Sequence, residues 1–418
     1  MKRLSILLTI VLLGMSYLAM GQQRSLQYFR PPGQAGLNMF ETPKQDTVEF
    51  DGLKVVVGGD FSIIFQGLTQ TNDLVGDTLV DLASNFTLPT ANLNLDVQIA
   101  DGVRMHLRTY LSSRHHNEAW VKGGYFQIDK LDFIQEGFLD DFMEIATIRF
   151  GMDEINYGDT HFRRSDNARS IYNPFVGNYI MDAFTTEPFA ELTLQKDGWL
   201  FVGGLSNGRL NQTPLSGDDG FVLYGKVGYD NYVSDDVRFR LTLSGYNSTD
   251  KSTRDYLYNG DRAGGRYYSV LEGQNDARVN DFLPRFNPGY AYQTAWQINP
   301  FVKAGGLEFF GVYERVSNGD DELGGNYNQL GGDLIYRFGS QENFYVGARY
   351  NRVSGEAIDG APEVEIERTN LGGGWFLTNN VLAKLEYVTG NYGGPGFDNT
   401  KFQGAEYDGF VLEAVISF

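Results

Sequence analysis

Arg104, His106 and Arg108 recur at every second position, and Arg114 keeps the same parity further on, so an extended chain carries all of them on one face. A guanidinium stays charged at any ordinary pH and offers a fork of N–H donors that matches carboxylate or phosphate. A row of such groups on one face suits the recognition of small anions. Arg149, Arg238 and Arg240 lie on the polar parity of their own extended stretches, and Arg163, Arg164 and Arg169 gather in the long polar segment 152–187. Acids run among them. Asp60, Asp96, Glu191, Asp333, Glu386 and Glu413 share the polar parity, and Asp153, Glu154, Asp159 and Asp166 share the long segment. For any single arginine, an ion pair that merely holds the wall together is as good an account as a role in anion handling.

Other chemistry is thin. With no Cys in 418 residues, disulfides, thiolate metal sites, iron–sulfur clusters and cysteine nucleophiles are all removed. His115-His116 with Glu118 has the residue types of a metal site, but neighbouring histidines on a strand end point to opposite faces. Neither a Gly-rich phosphate loop nor an H-E-x-x-H or G-x-S-x-G motif is present, so no metal, no cofactor and no catalytic activity is expected. The net charge of −19 repels nucleic acid. The Asp/Asn-rich loops 318–326 and 391–407 have the oxygen donors to hold divalent cations that bridge lipopolysaccharide, although a solvated loop is the better account of them.

The elements that must position these residues are strands. Residues 1–21 have a basic start at Lys2 and Arg3, an apolar run from Leu4 to Leu13, and the small-residue pattern Ala19-Met20-Gly21, which reads as a signal peptide. Residues 22–51 lack a period and form an N-terminal periplasmic arm. From Gly52 to Phe418 the chain alternates on a period of two: Leu93, Leu95, Val97 and Ile99 interleave with Asn92, Asn94, Asp96 and Gln98. The Asp101-Gly102 pair is a tight-turn signal, after which the alternation resumes with Val103, Met105 and Leu107. About sixteen such stretches fit between 52 and 418, each about as long as the 9–11 residues a tilted transmembrane strand needs. Short connections such as 101–102, 196–198 and 378–380 alternate with long polar ones such as 69–88, 152–187 and 249–289. The 130–142 linker, with room for a short helix through Phe138 and Phe142, and the short 115–117 loop depart from that alternation.

Alternating short turns and long loops are the mark of an up-and-down barrel with turns in the periplasm and loops outside. The fold class is therefore all-β: a transmembrane antiparallel β-barrel of about sixteen strands over 52–418, wide enough for an aqueous lumen. Leu95, Val97, Leu107, Leu241, Leu243 and Leu412 should face lipid, and Thr242 should face water. Phe410, Leu412, Ala414, Ile416 and Phe418 make an amphipathic last strand with a terminal aromatic, resembling the signal that outer-membrane barrels present to their assembly machinery. A secreted sandwich or propeller leaves the asymmetry of the connections unexplained.

Glu118-Ala119-Trp120-Val121, then Ile148-Arg149-Phe150-Gly151-Met152 followed by a long loop opening with Asp153-Glu154, resemble the phosphate-selective porin O/P family. That family has an E-A-[YW]-[VI] strand ahead of a strand that runs into a constriction loop. The resemblance covers 118–200 in motif and the barrel in organisation. Met152, Asp153 and Glu154 stand where the family has Gln, Lys and Pro. The resemblance thus implies the porin and leaves phosphate preference as a finer expectation. A composition rich in Tyr, Asn and Gly also resembles porins of Bacteroidota-type bacteria.

Together these readings lead to an outer-membrane porin for passive diffusion of small hydrophilic solutes, with anions or phosphate preferred. Arg104, Arg108, Arg114, Arg149, Arg163, Arg164, Arg169, Arg238 and Arg240 are its expected pore-lining or constriction residues. Its partners would be small hydrophilic or anionic solutes, outer-membrane lipid, lipopolysaccharide and the barrel assembly machinery, and a homotrimer is expected by analogy of size. The alternative is a non-conducting barrel that serves as an assembly, secretion or adhesion partner. A third reading is a barrel hydrolase dependent on a histidine such as His161.

Overall fold

The computed structural model describes residues 26–44, 47–76, 79–112, 119–209, 220–249, 256–259, 265–276 and 281–418. The expected signal peptide, Arg114 and the His115-His116-Glu118 group lie outside the described residues. Sixteen long antiparallel strands close on themselves: β1 (Lys54–Thr71), β2 (Thr90–Ala100), β3 (Val103–Ser112), β4 (Ala119–Ile128), β5 (Ala146–Glu154), β6 (Thr186–Lys196), β7 (Trp199–Ser206), β8 (Val222–Ser234), β9 (Val237–Ser248), β10 (Gln293–Ala304), β11 (Leu307–Asn318), β12 (Asn326–Phe338), β13 (Phe344–Glu356), β14 (Val364–Thr378), β15 (Val381–Gly393) and β16 (Glu406–Ser417). Each pairs with its sequence neighbours, and β1 pairs with both β2 and β16, which removes the free edges. In the closing seam Asp60 lies opposite Ser417 and Thr71 opposite Glu406.

Parity works as the alternation requires. On β9, Leu241 and Leu243 are 43% and 48% exposed on the outer face, while Thr242 and Ser244 between them are 1% exposed on the inner. Leu412 is exposed on the outside as well, and Leu95, Val97 and Leu107 are half-buried there. An outer face of this kind loses less in hydrocarbon than in water, and strands are the elements that can present it once every backbone group is paired. At the short-turn end, Gly102 has φ +67, and a Cβ there would come within 2.6 Å of the Lys130 backbone nitrogen; the glycine is a steric requirement of the turn. The 130–142 exception holds a single helical turn, Asp140–Met143.

The lumen does not match the sequence expectation. Thr242 meets the carboxylate of Asp159 at 2.7 Å rather than water, because the β5–β6 loop lies inside the barrel. Nearly every residue from Asp153 to Glu187 is buried. Two other segments join it. The N-terminal arm enters at the short-turn end, where the Gln34 amide donates to the Asn379 carbonyl in the β14–β15 turn. From the opposite end, parts of the β9–β10 connection tuck inward, so that Leu257, Tyr258, Tyr267, Val270 and Leu271 are buried with Ile180 and Met181 of the β5–β6 loop.

Candidate functional site

The β5–β6 loop is held on one side by strands β11–β15. These strands offer polar inward side chains, and the loop meets them with its backbone. The Ile180 amide donates to Asn351 Oδ1 at 2.6 Å, the Met181 amide to Gln329 Oε1 at 2.9 Å, and the Val176 amide to Glu386 Oε2 at 2.7 Å. Arg349 donates to the Gly177 carbonyl at 2.8 Å while its other nitrogens grip Asp333 at 2.6 and 2.9 Å; the Tyr179 hydroxyl donates to the same carboxylate at 2.8 Å. An irregular segment buried in a barrel must satisfy its own amides, and this wall supplies the acceptors.

The expected site arginines divide into structural and accessible groups. Arg164 forms a fork with Asp182 at 2.9 and 2.7 Å beneath the Phe184 ring, both partners within the loop, so it staples the loop rather than lining a passage. Arg163 ties the loop to β11 through Glu308 at 2.6 Å and to the arm through Asn38. Arg240 joins Asp159 of the loop, Glu41 of the arm and Asp230 of β8. Arg238 forks onto Asp230 at the short-turn end, where it and Arg240 border a cavity of about 440 Å³ beside the arm.

Arg104, Arg108, Arg149 and Arg169 come together on the other side of the lumen, around a cavity of about 160 Å³ between β1–β5, the arm and the loop. Each has an acid: Arg104 meets Asp96 at 3.0 Å; Arg108 meets Glu154 at 3.1 Å and Asp166 at 3.3 Å; Arg149 meets Glu191 at 2.6 Å; and Arg169 meets Glu154. Arg149 and Gln127 also border a second cavity of about 80 Å³ toward Glu41 and Thr193. The two spaces make a polar crevice along β1–β6. The sequence singled out this arginine row and placed acids in the same loop as able to cancel its field; Asp153, Glu154 and Asp166 do fold back onto Arg108.

Arg30 and Lys44 of the arm gave no signal in the sequence, while Lys226 fell on the lumenal parity without being singled out for the site. Arg30, on the aperiodic arm, reaches the cavity with its face 3.6 Å from the Tyr172 ring centroid and donates to the Gly36 and Phe162 carbonyls. Lys226 on β8 donates to Asp159 at 2.8 Å and pairs with Glu41 at 3.2 Å. Lys44 anchors the arm to Asp129 at 3.2 Å. Charge at the knot formed by arm and loop is strongly biased. Burial pushes the Glu41 carboxyl up, but Arg240 and Lys226 outweigh it and hold the group down to about 2. Asp159 is held well below the usual carboxylate range against its own burial by the same two cations, and Asp166 by Lys122 and Arg108. His161 is pushed down to about 3, first by burial and then by the Lys226 charge.

No protein-family model matches the chain. No curated protein matches it either. Solved structures do. OmpT, an outer membrane protein of Vibrio cholerae, in a trimer form, is similar with a TM-score of 0.53 and 12% identity over 88% of this chain and 100% of that one. A high-pH structure of Pseudomonas putida OprB gives 0.52 and 11% over 88% and 94%. An anion-selective porin from Comamonas acidovorans gives 0.50 and 13% over 88% and 100%. At such identities the likeness is one of fold: a closed transmembrane barrel of the outer-membrane kind.

Proposed function

We propose that the protein is an outer-membrane porin through which small hydrophilic solutes pass along the β1–β6 side of the lumen. The observation that carries this reading is the space that the inward loop leaves. Its stretch 176–181 is fastened to β12–β15 by backbone hydrogen bonds, its stretch 166–167 meets β2 through Thr90, Asn92 and the Ala91 carbonyl, and a polar crevice remains along β1–β6 between loop, arm and wall. A passage narrowed in this way admits solutes by size and by the polar groups that line it. Similarity in fold to an anion-selective porin and to an outer membrane protein in a trimer form supports the reading and with it a homotrimeric assembly.

The finer expectation of anion or phosphate preference draws support from Arg30, Arg104, Arg108, Arg149 and Arg169 around one cavity. The carboxylates paired with most of them weaken it, so mixed charge along the route is the better description. Single-channel recording in a planar bilayer tests the proposal: small current steps are expected, and a purified, folded barrel that never conducts would refute it. That outcome would favour a non-conducting barrel that acts as an assembly, secretion or adhesion partner, a reading supported by the arm and two loops that occupy the lumen.

A further inference from the structure

Two charged side chains on the 160 Å³ cavity stand apart from the ion-pair network around them. Asp60 on β1 is 4% exposed and accepts hydrogen bonds from the Ser417 hydroxyl at 2.7 Å and the Asn94 amide at 3.1 Å, both neutral. Arg30 on the arm gives Nε and Nη2 to backbone carbonyls. Among the described residues neither forms an ion pair, although carboxylates and guanidinium groups surround both. Every other arginine on this cavity has a carboxylate partner.

A buried charge with neutral partners keeps part of its field uncompensated, and an incoming group of opposite sign lowers that energy. One cation and one anion, each without a directly bonded charged partner, on a single small space call for a solute with both charges. Further polar atoms for such a solute are also at hand. Arg108 Nε–H, which lacks a partner, and His106 Nε2, an unpartnered acceptor while Nδ1–H donates to Asp96, belong to residues that line the same cavity. Tyr172 carries Arg30 on its ring and keeps that guanidinium fixed, its own hydroxyl donating to the Pro31 carbonyl at 2.8 Å.

We infer that the crevice between β1 and the N-terminal arm holds a binding site for a compact zwitterion of free amino acid size, its carboxylate toward Arg30 and its ammonium toward Asp60. The inference rests on the porin reading and specifies which solute class the passage sorts. It also gives the arm a role in selection, since half of the recognition pair belongs to it.

The test uses the full-length barrel in a planar bilayer in potassium chloride at neutral pH. The current is followed as glycine, acetate, methylammonium or neutral glycolamide is added. Glycine should reduce the current at least ten-fold more potently than the other three. Arg30→Gln and Asp60→Asn should each weaken that block five-fold or more, and Arg30→Lys should restore most of it. A conducting channel that all four solutes affect alike, or one whose glycine block survives both substitutions, would overturn the zwitterion site and leave the porin reading standing. A wild-type barrel with no current would overturn both.

Discussion

The two sides of the lumen use the same residue types to opposite ends. Along β11–β15, Gln329, Asp333, Arg349, Asn351 and Glu386 are almost wholly buried, and each spends its polar atoms on the inward loop. Along β1–β5, Asp60, Asp96, Arg104 and Arg108 are also buried, yet they line a cavity beside the arm. Burial and polarity therefore do not distinguish the two walls; what does is that the second also borders a cavity. On the docked wall a lost side chain strands the groups it was holding. On the crevice wall the cavity can hold water or a solute that takes its place.

That difference predicts unequal costs. The largest falls on the docked wall. Arg349→Ala leaves the buried Asp333 with only the more distant Arg163, at 3.8 Å, and should cost about 3–5 kcal/mol, as breaking a buried pair does, read by denaturant unfolding of the refolded barrel. The freed loop should also raise single-channel conductance. A fully stable variant with unchanged current would mean that the loop is held elsewhere.

The frame common to both walls comes next. Leu241→Arg should destabilise the barrel by about 2–4 kcal/mol if it lies near the bilayer midplane. The neighbouring Thr242→Arg should be damaging too, because Thr242 packs against Asp159 rather than open water. Wild-type stability for Thr242→Arg would place the loop out of the lumen.

Acid should loosen the docked loop. His161 has a folded value of about 3 against an ordinary 6.5, so the folded state binds fewer protons and loses stability as pH falls from 6.5 toward 3. The slope is about 1.4 kcal/mol per pH unit for this single group. Glu41, Asp159 and Asp166 act in the same direction at lower pH: their depressed values support the fold above the unfolded range near 4 and withdraw that support below it. His161→Gln should flatten the pH 4–6.5 part of the stability profile, and an unchanged slope would assign it to other groups.

The smallest stability effect belongs to the crevice. The Arg149 side chain is 23% exposed but Glu191 is buried at 1%, so Arg149→Ser leaves that carboxylate to the Tyr224 hydroxyl and the Asn156 amide and should cost about 1–3 kcal/mol. Its reversal potential in a salt gradient should nonetheless move toward cation preference, which a purely structural pair would not show.

The sequence carried the frame well because a barrel strand writes its two environments in strict alternation. Leu241, Thr242 and Leu243 could be assigned to faces without any knowledge of their neighbours. The length and arginine content of the loop after β5 marked it as a candidate for the pore, but whether it turns inward was not legible. Nor was what fills the lumen. Parity says that Arg108 points inward, but not that Glu154 and Asp166 return through the loop to meet it. The arm has no period, so Arg30 and Asn38 gave no signal of their own. The burial of Tyr258 and Tyr267 depends on long-range bonds to Glu314 and Glu386 that no local pattern encodes.

The most direct test of the account compares two inward valines in a chain that has no native cysteine. Val56 on β1 borders the crevice, and Val353 on β13 is packed with the docked wall. Val56→Cys and Val353→Cys are each exposed to a small cationic methanethiosulfonate reagent while the single-channel current is recorded. The account predicts that Val56→Cys reacts and loses current, while Val353→Cys stays unmodified and conducts as before. Rapid modification and block at Val353→Cys, with Val56→Cys inert, would put the passage on the other wall and contradict it.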